Sequence, residues 1–238
     1  MLKAVFFDLD GTLVPMNDDE FTKCYFSLLC KKIVPYGFDK DELIKTIWAG
    51  TKEIRKNDGT KPNDEVFWSV FSSVYGEDVT IKIKPVFDEF YLNEFKQSKA
   101  VCLDNPKARE VVDFCKENGI KLVVSTSPFF PKVGVVSRLE FVGLSEKDFD
   151  YITHYENTTF AKPSINFYKE IMANIGVEPN EVVMFGNSEL DDGLPMRELG
   201  AKAYMVGDYV ALNENEKEHF EKVSWNDVIE VLKKEIKI

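Results

Sequence analysis

Histidine is almost missing from this chain. His154 and His219 are the only two, 65 positions apart, and each reads as a surface or core residue rather than a ligand. Cysteine is scarce too. Cys24, Cys30, Cys102 and Cys115 form no C-x-x-C pair, so neither a zinc site nor a redox motif is indicated. No apolar run approaches the length needed to span a bilayer, and the opening MLKAVFF lacks the layout of an export signal. These absences lead us to expect reduced, mostly structural cysteines and a cytoplasmic protein without a membrane role. Positive charge is also short: 30 Lys and Arg stand against 41 Asp and Glu, a net charge of −11. A general basic face for nucleic acid is therefore not expected. An acidic protein acting on an anion would need a bound cation or a focused local positive field. Internal repeats and low-complexity segments are missing as well.

What is present is organised around Lys3 to Val14, KAVFFDLDGTLV. Ala4 to Phe7 read as a buried strand. It runs directly into Asp8-Leu9-Asp10-Gly11-Thr12. Side chains i and i+2 of an extended chain point the same way, so Asp8 and Asp10 share one side near a strand end. Two like charges held that close are costly unless a cation sits between them or one is protonated. Gly11 permits a sharp turn just after them. This layout suits a divalent-metal site in which one carboxylate attacks and the other moves protons. The plainer alternative is an acidic turn closing a core strand.

The following stretch, from about 16 to 98, reads as all-helical and rich in aromatics. Its expected helices start at Asp18, at Asp39, at Asn63 and at Pro85, with Trp48 placed in the apolar stripe of the second. Lys45, Lys52, Arg55, Lys56 and Lys61 are the candidates for presenting positive charge to the site. From about 99 the pattern changes. A helix over 105–118 precedes a buried strand, Lys121 to Val124, which ends in Ser125-Thr126-Ser127-Pro128. A helix over 131–141, a short strand at Tyr151 to Thr153, and a helix over 164–175 preceded by Lys162-Pro163 follow. Val182 to Phe185 is the next buried strand, opening onto Gly186-Asn187-Ser188-Glu189-Leu190-Asp191-Asp192-Gly193. A strand over 203–206 and a helix over 226–234 complete the pattern. Alternating strands and helices indicate a parallel α/β sheet. Ligands of such sheets bind beyond the carboxyl ends of the strands, which is where the main polar clusters fall.

Taken in series, these clusters resemble the four motifs of the haloacid dehalogenase (HAD) superfamily, in its phosphatase-like branch. DLDGTL matches the D-x-D-G-T signature, VVSTSP resembles the second motif, Lys162-Pro163 the third, and GNSELDD the acidic fourth. The resemblance covers residues 1 to about 207. It implies a Rossmann-like parallel-sheet core, residues 1–15 and 99–238, with an inserted all-helical cap domain over 16–98. The spacing agrees: 114 residues separate Asp10 from Ser125, but only 36 separate Ser125 from Lys162.

The resemblance further implies a Mg²⁺-dependent phosphomonoester hydrolase acting on a small phosphorylated metabolite. Asp8 would be the nucleophile that forms an aspartyl-phosphate. Asp10 would be the acid/base. Ser125 and Thr126 would contact the phosphoryl oxygens, and Lys162 would offset the charge gathered there. Mg²⁺ would bind Asp8, the main-chain carbonyl of Asp10, Asn187 and Asp192, with Asp191 a near competitor. Asn187 departs from the family pattern, which has Asp there. An amide oxygen can still ligate but brings no negative charge. Two alternatives stay open: a sugar-phosphate mutase of similar build, and a catalytically weakened binding protein on the same scaffold. A metal-free dehalogenase fits less well, because such enzymes lack the second aspartate.

Overall fold

The computed structural model describes residues 1–236. Six parallel strands form one sheet: β1 (Ala4–Phe7), β2 (Lys121–Val124), β3 (Tyr151–Ile152), β4 (Val182–Gly186), β5 (Lys202–Val206) and β6 (Lys222–Val223), in the spatial order β3-β2-β1-β4-β5-β6. Every residue of β1 is buried. Alternation then assigns its side chains to two separate cores. Val5 and Phe7 join the large apolar cluster on one face, while Ala4 and Phe6 join the smaller one on the other, with Phe167, Tyr168, Ile171 and Met184. The chain order runs outward from β1 to β3 and then restarts on the other side at β4. The reversal lies between β1 and β4, the place where open α/β sheets bind ligands.

Register brings the polar strand ends level. Phe7 pairs with Val124 on one side and with Phe185 on the other. Asp8, Ser125 and Gly186 therefore leave the sheet in one row. The Asp8 amide donates to the Phe185 carbonyl at 3.0 Å, and the Ser125 amide to the Phe7 carbonyl at 2.8 Å.

The stretch after β1 holds four helices, α1 (Asp18–Ile33), α2 (Lys40–Ile54), α3 (Asn63–Tyr75) and α4 (Glu77–Leu92), then a 3-10 segment, Glu94–Val101, before the helix that leads into β2. Capping explains the first two starts. The Asn17 side chain accepts from the Glu20 amide and the Asp39 side chain from the Glu42 amide, satisfying amides that have no partner within the helix. Aromatic packing joins this block to the sheet side: Phe21, Tyr25, Tyr91 and Phe95 all pack against Phe130. The remaining helices are α5 (Pro106–Glu117), α6 (Lys132–Phe141), α7 (Ile165–Ile175), α8 (Leu194–Leu199) and α9 (Val228–Ile236).

Two sequence expectations are corrected here, and one strand is added. The fourth helix starts at Glu77, not Pro85, so that Pro85 lies inside it. Gly76, at φ 86°, ends one helix and starts the next at once. An interior proline forfeits a hydrogen bond, and the buried Ile83, Phe87, Phe90 and Tyr91 offset that loss. Trp48 is not a core residue of its helix, being 51% exposed. The two-residue β6 was not expected, because Lys222-Val223 is too short to give a periodic signal.

Candidate active site

The Asp8 carboxylate is the centre of the site. Lys162 Nζ lies 2.6 Å from Asp8 Oδ1 and 2.6 Å from Asp192 Oδ1. Thr12 Oγ1 donates to Asp8 Oδ2 at 3.0 Å. Lys162, Asp8 and Asp192 are all buried. Burial pushes the Asp8 carboxyl up to about 7; the Lys162 ammonium opposes that rise, and Asp192 and Asp10 add to it. Burial alone would drive the proton off Lys162, but Asp192 and Asp8 hold it on, above the ordinary lysine value. A single ammonium is shared by two carboxylates, so it stays charged while burial still prevails at Asp8.

Asp10 is held by a different cation. Its Oδ2 pairs with an Arg138 guanidinium nitrogen, while its Oδ1 is buried without a hydrogen-bond partner. Arg138 is fully buried on α6, donates through Nε to the Gly134 carbonyl at 3.2 Å, and lies 4.2 Å from the Phe130 ring centroid. Sequence reasoning missed this residue, although a signal was present. Val135, Arg138, Leu139 and Val142 fall at helical spacing and are all buried, which puts an arginine on an apolar face.

The loop after β4 is shaped around Asp192. Its Oδ2 accepts from the amides of Asn187 and Ser188 at 3.1 and 3.0 Å. Its Oδ1 accepts from Lys162 and, at 3.2 Å, from the Tyr168 hydroxyl. With both oxygens engaged by the protein, Asp192 stands behind Lys162 as an anchor. A Cβ on Gly186 would overlap its carboxylate, which is why glycine stands there. Asn187 spends its Nδ2 on the Tyr209 carbonyl at 3.0 Å, leaving Oδ1 as the atom it can offer.

Ser125 and Thr126 are both buried at the end of β2. Ser125 Oγ donates to the Phe7 carbonyl at 3.3 Å, and the Thr126 carbonyl accepts from Thr153 Oγ1 at 2.7 Å. Of the cations weighed in the helical block, Arg55 reaches the site. It donates to the Lys162 carbonyl at 3.2 Å and lies 3.8 Å from Asp191.

The donor set suits a hard divalent cation. Among the described residues, no group of three or more His, Cys, Asp or Glu side chains forms a metal cage. Mg²⁺ does not need one, because it keeps several waters and takes one or two carboxylates plus other oxygens. The local charge asks for such an ion. Asp191 Oδ1 is buried and accepts no hydrogen bond, with the Arg55 guanidinium 3.8 Å away, and burial, with Asp10, Asp19 and Asp191 adding, raises the Asp18 carboxyl.

An α/β sheet with two aspartates, a serine, a buried lysine and an acidic loop at one edge defines a phosphatase-like hydrolase site. The family model for haloacid dehalogenase-like hydrolases matches residues 2–200, and the chain belongs to that family. Two relatives span most of it. One is glyceraldehyde 3-phosphate phosphatase of Methanothermobacter thermautotrophicus, 26% identical, covering 93% of this chain and 92% of its own. The other is phosphorylated carbohydrates phosphatase of Thermotoga maritima, 29% identical, covering 79% and 77%. Among solved structures, the HAD phosphatase from Thermococcus onnurineus shares the fold at a TM-score of 0.62, with 20% identity over 97% of this chain and 98% of that one.

Proposed function

We propose that this chain is a Mg²⁺-dependent phosphomonoester hydrolase that works through a phosphorylated Asp8. The observation that carries the reading is the division of cations. Lys162 serves the carboxylate suited to attack, and Arg138 serves the one suited to move protons. In the first half-reaction an Asp8 oxygen bonds to phosphorus and the bond to the ester oxygen breaks. Asp10, which enters this step having taken up a proton, gives it to the departing alkoxide. In the second, Asp10 takes a proton from water, the water oxygen bonds to phosphorus, and the acyl-phosphate bond breaks to free Asp8 and inorganic phosphate. Lys162 offsets the charge of the phosphoryl group throughout, and Thr126 supplies a hydrogen bond to its oxygens, while Ser125, whose hydroxyl donates to the Phe7 carbonyl, braces the strand end beneath it.

Asp8, the Asp10 carbonyl and Asn187 Oδ1 are the groups that would hold Mg²⁺, with Asp191 and Asp192 supplying negative charge beside it. The ion would supply positive charge against the phosphoryl oxygens. Substrates are small phosphorylated metabolites, in keeping with the names of the relatives. The test is phosphate release by wild type, Asp8→Asn and Asp10→Asn with Mg²⁺ or EDTA. Release by wild type alone, lost in EDTA, supports the reading. Equal inactivity of all three across a broad panel overturns it, and isomerisation without phosphate release points to a mutase.

A further inference from the structure

A cavity of about 300 Å³ opens over Asp10, between the helical block and the sheet. Its walls are Phe21, Tyr25 and Phe26 of α1, Ile47 and Trp48 of α2, and Phe130 ahead of α6. We propose that this cavity selects phosphate monoesters whose alcohol is a primary carbon attached to an apolar, ring-bearing body, and disfavours polyhydroxylated sugars. The inference rests on the phosphatase reading and goes beyond it in naming the substrate class.

The wall chemistry carries the argument. Phe26 and Trp48 form a tilted ring pair with centroids 5.6 Å apart. Trp48 lines the cavity and is 51% exposed, so its ring is not used up by the core. Polar atoms are present but largely spent. The Tyr25 hydroxyl is paired with the Tyr91 hydroxyl at 3.0 Å, and Thr51 Oγ1 donates to the Ile47 carbonyl at 3.0 Å. Arg55 is turned to the Lys162 carbonyl and Asp191, with its guanidinium 5.0 Å from the Phe129 ring centroid. Asp18, Thr22 and the remaining N–H groups of Arg55 are left, with Asp10 reserved for the reacting oxygen. A sugar brings several hydroxyls, each of which loses water on entry and needs a partner. Three side chains set against a wall of rings leave some of those hydroxyls unpaired. An apolar body loses no hydrogen bonds and covers aromatic surface.

The test compares kcat/KM with Mg²⁺ for 3-phenylpropyl phosphate, glycerol 3-phosphate and glucose 6-phosphate. All three are esters of primary alcohols, so intrinsic reactivity does not decide the order. We expect the phenylpropyl ester to lead by at least about tenfold, the scale of discrimination by an apolar pocket. Equal or better turnover of glycerol 3-phosphate or glucose 6-phosphate overturns the inference and leaves the phosphatase reading standing. Turnover of none of them would sink that reading instead. Calorimetry on Asp8→Asn then still judges the pocket: tighter binding of the phenylpropyl ester than of glucose 6-phosphate supports it, and the reverse or equality refutes it. Trp48→Ala, at a half-exposed position that folding tolerates, should shrink the phenylpropyl-to-glycerol ratio about tenfold. An unchanged ratio counts against the cavity as the selecting element.

Discussion

Asp10→Asn should destabilise this protein more than Arg138→Met, although each breaks the same ion pair. The reason is burial. The Arg138 side chain is 0% exposed and that of Asp10 27%. Taking away the aspartate's charge strands a cation that no water reaches, and breaking a buried pair in that way costs about 3–5 kcal/mol. The Gly134 carbonyl and the Phe130 ring still face the guanidinium, so the lower end, about 3 kcal/mol, is expected. Removing the arginine leaves a carboxylate that solvent partly reaches, and methionine refills most of the volume. That change should cost about 1–2 kcal/mol. For a domain of this size these figures are falls in Tm of about 6–12 °C and about 2–8 °C. The double variant should sit close to Arg138→Met, with a coupling of about 2 kcal/mol or more. Urea denaturation of all four proteins in EDTA at neutral pH measures the cycle. Additive losses, or Arg138→Met as the worse of the two, would refute the asymmetric-burial argument.

Other outcomes follow from single contacts. Arg109, chiefly, holds the Asp148 carboxyl well below its usual range against the effect of burial, with Lys116 and Ser145 assisting. A lowered folded value means stability that is present above the unfolded pKa of about 3.9 and is lost as pH falls below it. Asp148→Asn should therefore flatten the acid limb of a Tm–pH curve and cost about 1–2 kcal/mol at pH 7, a figure discounted because both basic partners are over a third exposed. Asn187→Asp replaces an amide donor to the Tyr209 carbonyl with an acceptor, so the EDTA-treated protein should lose about 1–2 kcal/mol. Its Tm should then rise more with Mg²⁺ than that of wild type; an identical Mg²⁺ shift would place residue 187 outside the metal shell. Gly186→Ala drives a methyl into the Asp192 carboxylate, and should lower stability by about 1–3 kcal/mol while abolishing phosphate release. An alanine variant with normal turnover would show that the Asp192 anchor is dispensable.

Much of this was legible in the chain because adjacent residues encode it. Val182 to Gly186 and Ala4 to Phe7 are unbroken apolar runs, and each opens onto polar residues that the register then brings level. Lys162 reads as a site residue only in series with the other motifs. Its burial between Asp8 and Asp192 depends on contacts 154 and 30 positions away, which no local pattern encodes. Arg138 reaches Asp10 across 128 positions, and its helical spacing signals burial without naming the partner. Pro85 misled because proline is so often a helix start, while its actual place inside α4 is tolerated through tertiary packing. Trp48 misled for the opposite reason: periodicity reports which face a residue occupies, and that face here borders a cavity. The partners of Asp192 are likewise invisible in its motif: two amides are local, but Lys162 and Tyr168 come from 30 and 24 positions away.

The helical block is also stitched to the sheet side at a second point. Asn63, at the start of α3, donates through Nδ2 to Thr158 Oγ1 and to the Phe160 carbonyl, both at 3.0 Å. The Asn63 and Asp64 amides donate to the carbonyls of Thr158 and Tyr155, also at 3.0 Å. That strand of loop leads within two residues to Lys162. A swing of the helices wide enough to admit a bulky ester must either tear these bonds or carry the loop along. Any displacement of the helices is thereby transmitted to Lys162, and a lesion at the mooring would be felt at the Asp8 carboxylate.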